Sequence, residues 1–140
     1  MSGFRPQDCI SGKISRLQRH ISGIFRSHIK PFGVTNSQLS LLFVLSKHKW
    51  LYQKNLAEIV VLEKSSLKRN IDLIIRNGWA FQDEEKKISI TALGKNKMEE
   101  ILPSWHQAMR QVEDVLGPDG LLALNLLERK LSLQPKSPIS

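Results

Sequence analysis

Cysteine is almost absent from this sequence of 140 residues, and so are long apolar segments. The single cysteine, Cys9, excludes an intramolecular disulfide and a metal site built from cysteines. The four histidines are spread along the chain without the spacing of metal ligands. No stretch approaches the roughly 20 apolar residues that cross a membrane, and the first residues lack the apolar segment of a secretory signal. We therefore expect a cytoplasmic protein without a metal, a cofactor or a membrane partner.

Catalytic patterns are also missing from the sequence. It has no glycine-rich loop that could cradle a phosphate. No serine or cysteine is placed with histidine and aspartate in a way that suggests a nucleophile and its base. The sequence therefore predicts a protein that is not an enzyme.

Acidic residues are scarce in the first part of the chain, which carries most of the positive charge. The formal net charge is +8 and the pI is near 9.9. Residues 1–31 contain six Lys and Arg against one acidic residue, residues 47–90 contain nine against six, and residues 91–140 contain six of each. This excess favours an anionic partner, nucleic acid first and a membrane surface second. A charge that serves only solubility is the alternative.

Apolar residues recur at helical spacing along most of the chain. In the first predicted helix one face carries isoleucine and leucine, the opposite face carries lysine and arginine, and Pro31 ends the helix. Thr35 is a suitable N-cap for the second helix, and Gly78 is a suitable stop for the fourth. The predicted helices comprise residues 8–30, 35–45, 53–60, 64–77, 92–116 and 119–133.

The last third of the chain is predicted to form two helices. Thr91 caps the first of them, and Pro103 should bend it. Gly117 and Pro118 should separate it from the final, leucine-rich helix. Residues 134–140 include two prolines and are expected to be frayed.

A charged β-hairpin is predicted after the fourth helix. Residues 79–82 and 88–90 alternate around the polar turn 83–87. A short helix, a tight turn, a second helix and such a hairpin can place the second helix in a major groove and the hairpin tip on the flanking backbone or minor groove. The predicted DNA contacts are Gln53, Lys54, Lys64, Ser65, Ser66, Lys68, Arg69, Lys86 and Lys87.

Five of these residues also have an ordinary structural interpretation. Lys64, Lys68 and Arg69 could form a solvated helix face, and Ser65 and Ser66 could serve only as helix caps. The start of a helix nevertheless suits phosphate contact, because its N–H groups and its dipole point outward. Together with the hairpin, this favours DNA contact over a merely solvated face.

The helices at the two ends of the chain carry more apolar surface than a winged helix of roughly 70 residues needs to bury. Such a surplus predicts a partner chain. A homodimer suits DNA, because its two-fold symmetry matches two half-sites of a palindromic operator.

Several short segments resemble, in order and spacing, the MarR family of multiple antibiotic resistance regulators. The segment SSLKRNID followed by RNGW resembles the family's recognition helix and its glycine stop, and ITALG resembles the residues that follow its wing. The other similar segments are GVTNSQ at the entry to helix two, QKNLAEI in helix three and LPSW in helix five. They lie at residues 33–38, 53–59, 65–72, 76–79, 90–94 and 102–105.

The resemblance covers about residues 9–131 and implies a mainly α, winged helix-turn-helix fold with a small β-hairpin wing and long dimerisation helices at both ends. It implies a homodimeric transcriptional regulator, a repressor or an activator, that responds to a small-molecule effector or an oxidant and binds double-stranded DNA. Residues 1–140 would then form one subunit, with a DNA-binding lobe at 33–91 and dimerisation helices at 8–31 and 92–133.

Two positions depart from the family's pattern. The family's wing usually carries Asp-x-Arg, whose arginine enters the minor groove, whereas residues 83–87 read Asp-Glu-Glu-Lys-Lys in a shorter wing. Lys86 or Lys87 could replace that arginine, but three acidic residues oppose the contact. Tyr52 stands where the family often has serine or threonine as a cap, so the start of helix three is expected to be less well fixed.

Two other functions remain open. The acidic, shortened wing is compatible with a protein-interaction module that has kept the fold and lost DNA binding. Cys9 could serve a redox-sensing regulator, since some members of the family sense peroxide through a cysteine in the first helix and Arg5 or Lys13 could assist the thiolate. The interpretation that we favour for Cys9 is a buried, unreactive thiol.

Overall fold

The computed structural model describes residues 3, 5–60, 62 and 64–132, apart from the side chain of Lys64. The predicted frayed segment 134–140 and the predicted last helical residue, Leu133, lie outside this range. The described chain folds in the order α1 (Ile10–Ile29), α2 (Asn36–Ser46), α3 (Gln53–Ile59), α4 (Lys64–Arg76), β1 (Ala80–Gln82), β2 (Ile88–Ile90) and α5 (Ala92–Ser132).

Helix α1 is slightly shorter than the predicted range of 8–30. Pro6–Asp8 forms a separate 3-10 turn, and the extended backbone of Cys9 (φ −64°, ψ 122°) starts the helix after it. At the other end, a second 3-10 turn over Lys30–Phe32 contains the predicted terminator Pro31. Gly33 follows with φ +71°, a left-handed conformation that costs glycine little, and the chain then turns towards α2.

The predicted cap of α2 is confirmed. The Thr35 hydroxyl accepts a hydrogen bond from the Gln38 backbone N–H, and the Gln38 side chain accepts one from the Thr35 backbone N–H, each at 3.2 Å. This reciprocal pair is a capping box, and it satisfies two N–H groups that the helix itself leaves without partners. Helix α2 therefore starts at a defined residue and runs through the centre of the fold.

Two hydrophobic cores hold the helices together. The larger core joins α2, α3, α4 and the hairpin, and includes Leu42, Leu56 and Ile74, all fully buried. The smaller core joins α1, α2 and α5 around Ile29 and Ile101. The side chain of Trp79, directly after α4, packs against both cores and so connects them.

The wing consists of two strands and one additional bridging residue, Leu51. β1 and β2 pair antiparallel, with Ala80 opposite Ile90 and Gln82 opposite Ile88. On the other edge of β2, Leu51 and Ile88 exchange two backbone hydrogen bonds of 2.8 Å. The hairpin was predicted, but this one-residue pairing was not. It fixes the segment before α3 to the wing.

The junction between the wing and α5 is tightly packed. The Thr91 hydroxyl donates to the Gly78 carbonyl at 2.5 Å and accepts from the Gly94 N–H at 3.0 Å, which confirms Thr91 as the cap of α5. The Thr91 N–H donates to the Trp79 carbonyl at 3.0 Å. That carbonyl lies where any side chain at position 94 would begin, so the close approach of the strand to α5 requires glycine there.

The predicted separation of two C-terminal helices takes the form of a single-residue break in α5. Gly117 has φ +69° and ψ 175°, a conformation essentially restricted to glycine, and helical residues lie on both sides of it. Pro103 leaves the backbone helical. No helix in the described residues is both long enough and apolar enough to cross a membrane.

Candidate nucleic-acid interface

Helix α4 has one buried face and one exposed face. Leu67, Ile71 and Ile74 point into the larger core and are at most 2% exposed. The opposite face consists mainly of polar and charged side chains that are exposed to solvent. They are Ser65, Lys68, Arg69, Asp72 and Arg76.

The start of α4 is organised around Ser66, which is half-buried. Its hydroxyl accepts a hydrogen bond from Arg69 Nη2 at 3.4 Å, and its carbonyl accepts one from Asn70 Nδ2 at 2.8 Å. Ser65 is exposed beside it. Ser65 and Arg69 can therefore reach a ligand directly, whereas Ser66 holds the Arg69 side chain in place.

Two charged residues of this face were missed by the sequence analysis. Asp72 and Arg76 lie one and two helical turns after Lys68, on the same side of α4. Asp72 forms an exposed ion pair with Lys68, with 3.4 Å between Nζ and Oδ2. The sequence indicates this shared face, because Lys68, Asp72 and Arg76 are spaced four residues apart, which places them on one side of a helix.

Helix α3 supplies one wall of a groove along α4. Gln53, at the first position of α3, lines an open groove of about 1000 Å³ together with Ser65, Arg69 and Arg76. Lys54 is exposed next to it but does not line this groove. The structure thus brings Gln53 together with Ser65, Lys68 and Arg69, four of the predicted contact residues.

The start of α3 has a cap that the sequence analysis did not expect. The Tyr52 side chain makes no capping hydrogen bond, as anticipated. Instead, the Asn55 side chain accepts from the Tyr52 backbone N–H at 2.9 Å. Asn55 thus supplies the reverse half of a capping box, while the Asn55 N–H, which a serine or threonine cap would bond, donates to the Tyr52 carbonyl at 3.0 Å. That the start of α3 is less well fixed than in a chain with such a cap stays a prediction.

The wing ends in a compact turn with an exposed cation at its tip. The Lys86 N–H donates to the Asp83 carbonyl and the Asp83 N–H donates to the Lys87 carbonyl, both at 3.0 Å. Lys86 closes the loop with φ +71°, the left-handed conformation that hairpins with three-residue loops commonly need at this position. Its exposed side chain stands beside the exposed carboxylates of Glu84 and Glu85.

Lys87, the second predicted wing contact, makes interactions within the wing. Its Nζ lies 3.2 Å from the Glu85 carboxylate and 4.5 Å from the centre of the Trp50 ring. The hydrogen bond with Glu85 and the charge of that carboxylate raise the pKa of Lys87 above its ordinary value. A contact between Lys87 and DNA would have to displace Glu85.

Cys9 is exposed, so the expectation of a buried thiol was wrong for the single chain. It precedes α1, whose first turns carry exposed apolar side chains, with Ile10 77% exposed and Ile14 51% exposed. Among the described residues, no group of three His, Cys, Asp or Glu side chains could hold a metal ion.

A second concave region lies between α1 and α5. Apolar side chains such as Ile21, Ile24 and Val112 line a cleft of about 390 Å³, and Lys13, Arg16 and His20 of α1 also line it. Beside the cleft, His28 of α1 and Gln111 of α5 share a hydrogen bond of 2.7 Å. The cleft is thus apolar inside and cationic at its α1 side.

No family model and no curated protein matches this sequence. The structure is similar to that of BpsR from Bordetella bronchiseptica, whose DNA binding is regulated by 6-hydroxynicotinic acid, with a TM-score of 0.81 and 16% identity over 94% of this chain and 99% of that one. It is similar to a MarR-family transcriptional regulator from Streptomyces coelicolor, with a TM-score of 0.79 and 20% identity over 93% and 95% of the two chains. It is also similar to the repressor CouR bound to p-coumaroyl-CoA, with a TM-score of 0.81 and 15% identity over 92% and 95%.

These similarities cover almost the whole of each chain and establish the fold. The chain has the winged-helix fold of MarR-type regulators, with a two-stranded hairpin and long helices at both ends. The predicted fold class is therefore confirmed.

Proposed function

We propose that the chain is a DNA-binding transcriptional regulator of the MarR type that acts as a homodimer. The observation that carries the proposal is the exposed face of α4, which presents three cations and a serine while the opposite face is locked into the larger core. An α-helix with its side chains is about 10–12 Å across, and the major groove is about 12 Å wide. The exposed face can therefore enter a groove without any change in the core.

The contact residues divide into three groups by position. Ser65, Lys68 and Arg69 form the reading surface at the start of α4, and Ser66 positions the Arg69 side chain. Gln53, Lys54 and Lys64 contact the phosphates on either side, Lys64 by its place as the first residue of α4. Lys86 reaches the backbone from the wing tip, and Lys87 does so once Glu85 gives way to a phosphate. The acidic residues of the wing make deep entry into the minor groove unfavourable.

A second copy of the chain covers the exposed apolar residues at both ends. Ile14 and Leu17 of α1 are 51% and 55% exposed, and Leu122 and Leu131 of α5 are 59% and 72% exposed. Monomeric proteins rarely expose so many large apolar side chains on adjacent helices. In this proposal residues 8–31 and 92–133 form the dimer interface, and residues 33–91 form the DNA-binding lobe.

The oligomeric state can be tested by sedimentation velocity. The Ile14→Glu/Leu17→Glu variant should sediment as a monomer, because two charges would be buried in the interface. Phe81 of the wing is equally exposed, at 58%, so Phe81→Glu is the matched control and should remain a dimer. A monomeric wild-type protein at micromolar concentration would contradict the proposal.

The cleft between α1 and α5 offers a place for an effector. Its apolar wall and its cations suit a small amphipathic anion. Two structurally similar proteins support an effector site in this fold. The DNA binding of BpsR is regulated by 6-hydroxynicotinic acid, and the structure of CouR contains p-coumaroyl-CoA. A ligand between two dimerisation helices would alter the spacing of the two α4 helices.

Selection of bound sequences from a random pool of duplex DNA tests the function directly. We expect a palindromic site, and an affinity that falls steeply as salt is raised, because several phosphates are neutralised. The Lys68→Ala/Arg69→Ala variant should lose binding, with a cost on the order of 1–3 kcal/mol for any residue that contacts a base. The matched control, Arg110→Ala/Lys130→Ala, removes two exposed cations of α5, far from α4 in the sequence; once sedimentation has shown that it is still a dimer, it should bind nearly as well as the wild type.

Two results would reject α4 as the reading helix: unchanged binding by the Lys68→Ala/Arg69→Ala variant, or a flat response to salt. A protein-interaction module on the same fold would then be the better explanation. The acidic wing tip, with Glu84 and Glu85 exposed and Lys87 held internally, favours that second candidate. A redox-sensing role would instead require peroxide-sensitive release of DNA that Cys9→Ser abolishes.

A further inference from the structure

Helix α4 carries a single acidic residue, and it lies in the middle of the exposed face. Asp72 is four residues after Lys68 and four before Arg76, so at 1.5 Å per residue each neighbour is about 6 Å away along the helix. On a surface that approaches phosphates, a carboxylate is repelled. Its presence there requires a compensating interaction, either within the protein or with the DNA.

Asp72 contributes little to the stability of the fold. Its side chain is 54% exposed, and it pairs with Lys68, whose side chain is 66% exposed. Exposed pairs of this kind contribute little to stability, and a lysine that precedes its acidic partner at i, i+4 is in the less favourable order. Aspartate is also a poor residue for the interior of a helix. Local stability therefore does not explain the residue.

The geometry of the pair matches the edge of a base pair. Lys68 Nζ is a donor, Asp72 Oδ2 is an acceptor, and 3.4 Å separates them. In a G·C pair the guanine O6 acceptor and the cytosine N4 donor are joined by a hydrogen bond, and so lie about 2.9 Å apart in the major groove. The protein thus presents a donor and an acceptor at nearly the spacing at which the base pair presents the complementary groups.

We infer that Lys68 and Asp72 together read one G·C base pair in each half-site, with Lys68 on guanine O6 and N7 and Asp72 on cytosine N4. The inference rests on the proposed function and makes Asp72 a specificity-determining residue. A T·A pair offers a similar acceptor and donor, but where guanine has N7, thymine has a methyl group that cannot accept a hydrogen bond from the lysine. If the G·C pair is reversed, the guanine O6 acceptor, in place of the cytosine N4 donor, faces the Asp72 carboxylate.

The test compares selected sequences among variants of the full chain. Asp72→Ala should lower the preference for this G·C pair by about 5-fold or more. Asp72→Asn should move the preference towards adenine, since an amide can pair with adenine N6 and N7. Lys68→Ala should weaken the preference at the same base pair as Asp72→Ala. Glu58→Gln removes one charge from an exposed acid of α3, and as the matched control it should leave every base preference unchanged.

The outcomes separate the inference from the proposed function. If the wild type selects a site and both Asp72 variants keep all of its base preferences, with only a uniform gain in affinity, Asp72 acts through charge alone and the inference is overturned. The inference also fails if Lys68→Ala and Asp72→Ala alter different base pairs. If the wild type selects no sequence, the proposed function fails and the inference falls with it.

Discussion

Gly94 offers a sharp test of how the wing is joined to α5. It lies in the first turn of α5, where the Trp79 carbonyl passes close to the helix. A Cβ built at this position would overlap the carbonyl oxygen and would lie 2.9 Å from both the Trp79 carbonyl carbon and Ile90 Cγ1. Because two of these three atoms are backbone, Gly94→Ala cannot be relieved by rotation of a side chain. The strand must move away from the helix.

The cost of Gly94→Ala can be built from the separate interactions. Alanine is better than glycine in a helix by at most about 1 kcal/mol. Overpacking typically costs about 1–3 kcal/mol, and moving the strand weakens the hydrogen bond from the Thr91 N–H to the Trp79 carbonyl, which contributes about 1 kcal/mol. We expect a net loss of about 1–4 kcal/mol in the free energy of unfolding. At about 3 °C per kcal/mol, the melting temperature should fall by roughly 3–12 °C.

Urea denaturation followed by circular dichroism, at one fixed protein concentration, measures this loss. Gly23→Ala is the matched control, because Gly23 is also inside a helix and no atom lies within 4 Å of a Cβ built there. The control should be stabilised by up to about 1 kcal/mol. A Gly94→Ala protein as stable as the wild type would refute the packing argument, as would equal shifts of the same sign in both variants.

Three further predictions concern single residues. Lys86→Gly should raise the free energy of unfolding by about 0.5–1 kcal/mol in urea titrations, because glycine accepts φ +71° without strain, whereas Lys86→Ala should give no such gain. Thr91→Val should cost about 1–2 kcal/mol in the same assay, since it removes the cap to the Gly94 N–H and the hydrogen bond to the Gly78 carbonyl. Cys9 is exposed in the single chain and lies within the proposed dimer interface, so it should react with a maleimide more slowly in the native dimer than in the monomeric Ile14→Glu/Leu17→Glu variant, and equal rates would contradict its place in the interface.

Much of the fold could be predicted because its signals are local. The stripe of α1, the Thr35 cap, the Gly78 stop and the break at Gly117 each depend on residues within one or two turns. The Leu51 pairing with β2 has no such signal, because a single residue in a ladder leaves no alternating pattern. It exists only because the core brings distant segments together.

Only the part of the candidate site that has local sequence signals was predicted. The start of α4 could be found from its charge and its serines, and Asp72 and Arg76 could have been found by continuing the four-residue spacing. The ion pair of Lys87 with Glu85 is local and was indicated by the acidic turn, whereas its contact with the Trp50 ring could not be predicted, since Trp50 reaches it across the Leu51 bridge. The exposure of Cys9 was also not evident, because an apolar stripe on α1 suggests burial whether the covering surface belongs to the same chain or to another.

The connection of Trp79 and Thr91 gives α5 a mechanical role. The end of α4 is joined to the beginning of α5 by two hydrogen bonds, from the Thr91 hydroxyl to the Gly78 carbonyl and from the Thr91 N–H to the Trp79 carbonyl, so a rotation of one helix would be transmitted to the other. From Ala92 to Leu116, α5 extends for about 37 Å, and its far end lies among the residues that a partner subunit would hold. A tilt of a few degrees at that end becomes a displacement of several ångströms at the tip of α4. The long helix would then act as a lever, by which a small adjustment between subunits decides whether both tips still fit one stretch of DNA.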